Sequence, residues 1–99
     1  MKLVAVTACP TGIAHTYMAA EQLEKTAKRL GHTIKVETQG SMGIENELTS
    51  DDIKGAACAI LATDIAVRDR ERFIGIPVVE VPVQEVIKHP DAVFGRLPQ

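Results

Sequence analysis

Cys9 is the side chain of this sequence that is best placed for covalent chemistry. It follows a short, wholly apolar run, Leu3 to Val6, and precedes a segment in which apolar residues recur at helical spacing. Such runs are typical of parallel strands that helices cover on both faces. Because ligands of open parallel sheets bind beyond the carboxyl ends of the strands, Cys9 is predicted to lie at a binding edge. The alternative is that Cys9 has no chemical role and is only a small residue that fills a tight turn.

The residues after Cys9 predict a cradle for an anion. A helix that begins just after this loop would direct the backbone N–H groups of residues 11–14 towards one point. The same helix terminus stabilises a thiolate, which is the nucleophilic form of cysteine. Gly12 permits a tight turn, and the hydroxyls of Thr11 and Thr16 add hydrogen-bond donors.

Three known loop chemistries can be compared with this stretch. A Cys-x-x-Cys redox pair is excluded because Gly12 occupies the second cysteine position, and a Walker phosphate loop is excluded because no Gly-Lys-Ser/Thr follows. The spacing of Cys9, five residues, His15 and Thr16 matches low-molecular-weight phosphatases, except that they have arginine at the position of His15. Without that permanent charge the loop favours a phosphoryl carrier over a hydrolase. The candidate phosphate-binding residues are Pro10, Thr11, Gly12, Ile13, Ala14, His15 and Thr16.

Several other residues leave alternatives open. His15 either faces the phosphate or only caps and packs its helix. Asp64 follows a predicted strand and could resemble a phosphatase general acid, but a loop-capping role is favoured because a thiolate leaving group needs no proton. Segment 39–46 is either a wall of the site or a plain glycine-rich turn. Cys58 lies inside an apolar run and is expected to be a core residue.

The elements that must position the cysteine alternate between strand and helix. Apolar residues over 13–30 recur in steps of three and four, which predicts an amphipathic helix that ends at Gly31. Alternation over 33–38 predicts an edge strand with a wetter face that carries Lys35 and Glu37. The later expectations are a loop over 39–48, a capping box at Thr49 to Asp52, a central strand over 56–62, a loop with a helical turn over 64–73, an edge strand over 77–81 and a helix over 83–89.

Together these elements predict a single α/β domain over residues 1–99. Its expected core is an open four-stranded parallel sheet, Rossmann-like, with strand order 2-1-3-4 and flanking helices. The Cys-containing phosphate loop is expected after strand 1.

Composition excludes several classes of protein. A net charge of -2 without any basic run argues against a nucleic-acid partner, and an aromatic content of 3% argues against a sugar- or base-binding module that works alone. No apolar run approaches the roughly 20 residues of a membrane span, and no signal peptide is recognisable, so a cytoplasmic location is expected. His15, His32 and His89 are dispersed, so no metal and no cofactor is predicted; His32 and His89 are expected at the solvated surface.

The stretch TACPTGIAHTYMAAE, residues 7–21, resembles the active-site segment of fructose-type enzyme IIB components of the bacterial sugar phosphotransferase system. The similarity continues through VETQG at 36–40, GIENELT at 43–49, DIAV at 64–67 and ERF at 71–73. It therefore extends over nearly the whole chain.

The resemblance implies a phosphoryl-transfer cycle on Cys9. A phosphohistidine of a IIA component would pass its phosphoryl group to the sulfur, and a sugar presented by the membrane IIC component would then take it. The sugar, fructose by default, would be contacted only through the IIC component. Two rival functions stay open: a cysteine phosphatase or arsenate reductase on the same fold, and a regulatory domain that senses phosphorylation through Cys9.

Overall fold

A five-stranded mixed sheet forms the centre of the computed structural model, which describes residues 1–9, 14–40, 43–65, 67 and 69–97. The strands are β1 (Lys2–Ala8), β2 (Thr33–Gly40), β3 (Gly43–Glu45), β4 (Cys58–Thr63) and β5 (Val78–Val81). The helices are α1 (Ala14–Arg29), α2 (Ser50–Lys54), α3 (Val83–Lys88) and α4 (Pro90–Phe94), with a 3-10 helix at Arg70–Phe73. In this part of the chain, no helix is long and apolar enough to cross a membrane.

The strands lie in the order β3-β2-β1-β4-β5. β1 pairs in parallel with β2 and β4, and β4 pairs in parallel with β5. The four predicted strands are therefore β2, β1, β4 and β5, and they keep their predicted neighbours. β1 is central, so all of its residues after Lys2 are buried.

The prediction of a purely parallel, four-stranded sheet is wrong. β3 is a fifth strand, antiparallel to β2, with Thr38 opposite Glu45 and Gln39 opposite Ile44. Segment 39–48 is consequently not a plain loop, and β2 is an edge strand only over its first half. A three-residue strand has no measurable period, and only pairing with β2 makes it extended. Tyr17 of α1 donates a hydrogen bond to the Glu45 carboxylate, which raises the pKa of Tyr17.

Helix α1 covers one face of the sheet. Its buried residues are Thr16, Ala19, Ala20, Leu23, Thr26 and Ala27. The buried face of α1 differs from the predicted apolar face, because Tyr17 is only half-buried and Leu30 is exposed. Gly31 ends the helix as predicted: its φ of 83° is left-handed, and the next N–H, of His32, bonds to the Ala27 carbonyl at 2.8 Å.

The opposite face of the sheet is covered by α2 and the 3-10 helix. Ile53 and Phe73 pack there against Val4, Val6 and the β4 residues of that face. The predicted capping box is present: Thr49 Oγ1 accepts from the Asp52 N–H at 3.1 Å, and Asp52 accepts from the Thr49 N–H at 2.8 Å. These two contacts fix the start of α2.

The short helices α3 and α4 pack beside α1. Phe94 of α4 is buried, and its ring stacks on His32 with centroids 6.0 Å apart. His32 is therefore only partly solvated, because a helix distant in sequence covers one side of its ring. His89 is exposed, as predicted.

Candidate functional site

Cys9 directly follows the central strand and lies at the carboxyl edge of the sheet. Ala8, the last residue of β1, stands opposite Gln39 of β2 and Thr63 of β4. The Asp64 N–H extends this pairing with a bond to the Ala8 carbonyl at 3.1 Å. Cys9 is therefore flanked by the ends of two parallel strands, in the position that the sequence predicted. Its side chain is largely buried, with 6% of the residue exposed.

His15 lies next to the cysteine. Its Nδ1 atom is 4.0 Å from Cys9 Sγ, and its side chain is half-buried in the first turn of α1. Ala14 is the exposed first residue of that helix. The predicted loop residues Pro10, Thr11, Gly12 and Ile13 lie outside the described residues.

Thr16 joins the first turn of α1 to the central strand. Its carbonyl accepts a hydrogen bond from Thr7 Oγ1 at 3.1 Å, a buried contact that anchors the helix N-terminus beside β1. The Thr16 hydroxyl is itself buried and has no hydrogen-bond partner among the described residues. Most buried hydroxyls in proteins have a hydrogen-bond partner, so the Thr16 hydroxyl is an exception at the start of this helix.

Asp64 has the loop-capping role that the sequence favoured. Its Oδ1 atom accepts a hydrogen bond from the backbone N–H of Val83 at 3.2 Å. Val83 is the first residue of α3, so Asp64 satisfies one of the unpaired donors of that helix. This contact holds the end of β4 against the start of α3.

Cys58 is a core residue, as predicted. It is fully buried in β4, and its thiol donates to the Ala59 carbonyl at 3.5 Å. Burial raises its pKa, which two backbone hydrogen bonds only partly oppose. A protonated, enclosed thiol is a poor nucleophile, which agrees with a core role for Cys58.

The sequence pattern did not predict a buried ion pair between Glu37 of β2 and Arg72 of the 3-10 helix. Glu37 is fully buried, whereas it was predicted on a wetter face. Arg72 donates to its two carboxylate oxygens at 2.8 and 2.7 Å. Gln39 donates at 2.7 Å and the Leu48 N–H at 2.9 Å. The carboxylate thus receives four donors.

Long-range packing explains that error. The segment leading to Leu48 and the 3-10 helix both fold over this face of β2, and neither is adjacent to Glu37 in sequence. Arg72 also lies over the Phe73 ring, with Cζ 4.9 Å from its centroid. The sequence contained one indication of a buried charge, namely an acidic residue within the alternating pattern of β2. That indication did not identify Arg72 as its partner.

The fold and the position of Cys9 define an open α/β protein with a cysteine-bearing loop between its first strand and first helix. An arsenate reductase in the phosphate-binding state has the same fold, with a TM-score of 0.57 over 99% of this chain and all of that chain. The two sequences are only 12% identical, so the likeness is one of fold alone.

Residues 4–96 match the family model described as PTS system, Lactose/Cellobiose specific IIB subunit. The chain belongs to this PTS IIB family, which confirms the predicted resemblance. It is 51% identical to the PTS system fructose-like EIIB component 2 of Escherichia coli K12, over 97% of this chain and 91% of the relative. It is therefore a IIB component of the fructose-like type, and such components act in phosphoryl transfer during sugar uptake.

The same domain occurs within longer relatives, and one such domain has a crystal structure. The chain is 52% identical to the Fructose-like PTS system EIIBC component of Escherichia coli, over 99% of this chain but only 21% of that protein. A crystal structure of a domain from the fructose-specific IIABC component of Borrelia burgdorferi has a TM-score of 0.91 and 46% identity. It covers 97% of this chain and 94% of that chain.

Proposed function

We propose that Cys9 carries a phosphoryl group from the phosphohistidine of a IIA component to a sugar held by the membrane IIC component. In the first step the thiolate attacks phosphorus, the S–P bond forms, and the P–N bond breaks with its electron pair left on the imidazole. In the second step a sugar hydroxyl attacks phosphorus, the S–P bond breaks, and the thiolate leaves. The hydroxyl proton passes to a base on the sugar side or to solvent.

The position of Cys9 at the carboxyl edge, ahead of the N-terminus of α1, carries this proposal. The 16-residue helix α1 directs the positive end of its dipole towards the edge where three phosphoryl oxygens must be held. The Thr16 hydroxyl, buried and without a partner among the described residues, is assigned as a donor to one of those oxygens. Residues 10–13 and Ala14 are assigned the remaining backbone contacts.

His15 is assigned to the phosphoryl group on the sulfur. Its Nδ1 atom, 4.0 Å from Sγ, is within reach of an oxygen attached to phosphorus on that sulfur. An imidazole offers one donor where the guanidinium of a phosphatase offers a rigid fork. The site therefore holds the phosphoryl group without promoting attack by water, which favours the carrier over the phosphatase or arsenate reductase.

The proposed partners follow from this cycle. The IIA component donates at the cytoplasmic face of the membrane, and the IIC component presents the sugar, with fructose as the proposed substrate. The IIBC arrangement of the Escherichia coli relative supports a partnership with a membrane component. Neither step calls for a metal, an organic cofactor or nucleic acid.

The decisive experiment is labelling of the two cysteine variants. The chain is incubated with phosphoenolpyruvate, the general phosphotransferase proteins and a IIA component, and the adduct is measured by intact-mass spectrometry. One phosphoryl group is expected on the parent and on Cys58→Ser, and none on Cys9→Ser. Circular dichroism confirms that each variant is folded. Labelling that survives in Cys9→Ser would refute the assignment of the nucleophile.

A further inference from the structure

A groove of about 710 Å³ lies on the face of the sheet that is opposite α1. Its floor is apolar and contains Leu48, Ile53 and Ile76. α2 forms one wall, and the segment around the 3-10 helix forms the other. Cys9 packs with the α1 side of the core, so the groove is separate from the proposed site.

Ile74 stands at the rim of this groove almost entirely in solvent. It is 83% exposed, against 47% or less for the other exposed large apolar side chains of the described chain. Because Ile74 lines the groove together with Leu48, Ile53 and Ile76, these side chains form one apolar patch, and such patches are typical of contact surfaces. It provides an apolar anchor point for a partner.

The rim of the groove is strongly acidic. Its four exposed carboxylates belong to Glu47, Asp51, Asp69 and Glu71. Among the described residues, none of the four forms a salt bridge. Two cationic residues belong to the described lining: Arg72 is engaged by buried Glu37, and Lys54 is the other. A partner that fits this surface must present basic side chains next to apolar ones.

We propose that the groove docks a basic cytoplasmic segment of the membrane component, an inference that rests on the proposed function. Cytoplasmic loops of membrane proteins carry an excess of lysine and arginine, which complements this acidic rim. A docking surface away from Cys9 would keep the domain bound to the membrane component. The edge that carries Cys9 would then stay free to face first the phosphoryl donor and afterwards the sugar. The groove would therefore affect affinity for the membrane component but not the chemistry at sulfur.

The test compares two charge-reversed variants of the same net charge. Asp51→Lys/Glu71→Lys reverses two rim carboxylates that make no described ion pair, and Glu24→Lys/Glu85→Lys reverses two exposed ones elsewhere, on α1 and α3. Ile74→Ser removes the exposed anchor with little risk to folding, since the side chain lies in solvent. Each phosphorylated variant is titrated against the membrane component in vesicles, and sugar phosphorylation is measured.

The rim variant is expected to raise the KM for the domain about tenfold, with kcat unchanged. The increase should diminish at high salt, and Ile74→Ser should raise the KM at all salt concentrations. The control variant should behave as the parent. An unchanged KM in the folded rim and Ile74 variants, or an equal rise in the control, would overturn the proposal.

Two further measurements separate the possible failures. Labelling of Cys9 by the IIA component should be the same in every variant; if the parent itself is not labelled, the proposed function fails rather than the groove. Sedimentation of the parent tests for a second copy of the chain in the groove. A dimer that Ile74→Ser dissociates would overturn the membrane-component proposal in favour of self-association.

Discussion

Replacement of Glu37 by glutamine tests the buried ion pair directly. Glu37 is fully enclosed and accepts four hydrogen bonds between 2.7 and 2.9 Å, two of them from Arg72. The amide keeps the shape but removes the charge and turns one acceptor into a donor that faces another donor. Arg72, only 18% exposed, then lacks its counter-ion. Breaking one side of a buried pair costs about 3–5 kcal/mol, and the partial exposure of Arg72 places the expected loss at about 3 kcal/mol.

The loss should depend on pH in a defined direction. Burial raises the pKa of Glu37, but the hydrogen bonds from Arg72, Gln39 and Leu48 outweigh it, so the pKa lies below its ordinary value. A carboxyl whose folded pKa is depressed contributes stability that is complete above the unfolded pKa, about 4.3. That contribution is lost as the pH falls through the folded pKa. The advantage of the parent over Glu37→Gln should therefore shrink below about pH 4.

Urea denaturation followed by circular dichroism measures both effects. At neutral pH the midpoint of Glu37→Gln should fall by roughly 1–3 M. Glu21→Gln, which removes a partner of the exposed Glu21–Lys25 pair, is the matched control and should change the midpoint far less. Adding Arg72→Met to Glu37→Gln should restore part of the stability, because no unpaired charge then stays buried. A Glu37→Gln midpoint within error of the parent at neutral pH would refute the reasoning.

Two further predictions concern the start of α1 and the start of α2. His15→Arg completes the phosphatase pattern of Cys, five residues, Arg and Thr, so the phosphorylated domain should lose its phosphoryl group to water faster than the parent. Loss of a preorganised donor slows an enzyme about 100-fold or more, and the gain in hydrolysis rate from an arginine that nothing orients should be smaller than that. The decay is followed by mass spectrometry without sugar, and His89→Arg on the exposed surface is the control; equal lifetimes would mean that residue 15 does not contact the phosphate. Thr49→Ala should cost about 1 kcal/mol in urea denaturation because the capping box is lost, while Thr49→Ser should retain it. Equal stability of the alanine and serine variants would contradict the capping role.

Local patterns in the sequence predicted the features that depend on neighbouring residues. The apolar run of β1 and the helical period of α1 placed Cys9 between a strand end and a helix N-terminus. Gly31 and the Thr49 box set helix limits through contacts within a few residues. Because these signals act over one or two turns of chain, no knowledge of the tertiary structure was needed.

Tertiary packing decided the features that join distant segments. Glu37 followed the alternation of an edge strand, yet Arg72, 35 residues later, and the segment ending at Leu48 enclose it. β3 is extended because β2 offers it an edge, and the acidic groove exists because α2 and the 3-10 helix meet over the same face. A charged side chain can be buried only where the fold supplies its partner. The period of the sequence therefore predicts which residues share a face of a strand, but tertiary contacts determine whether that face is exposed to water.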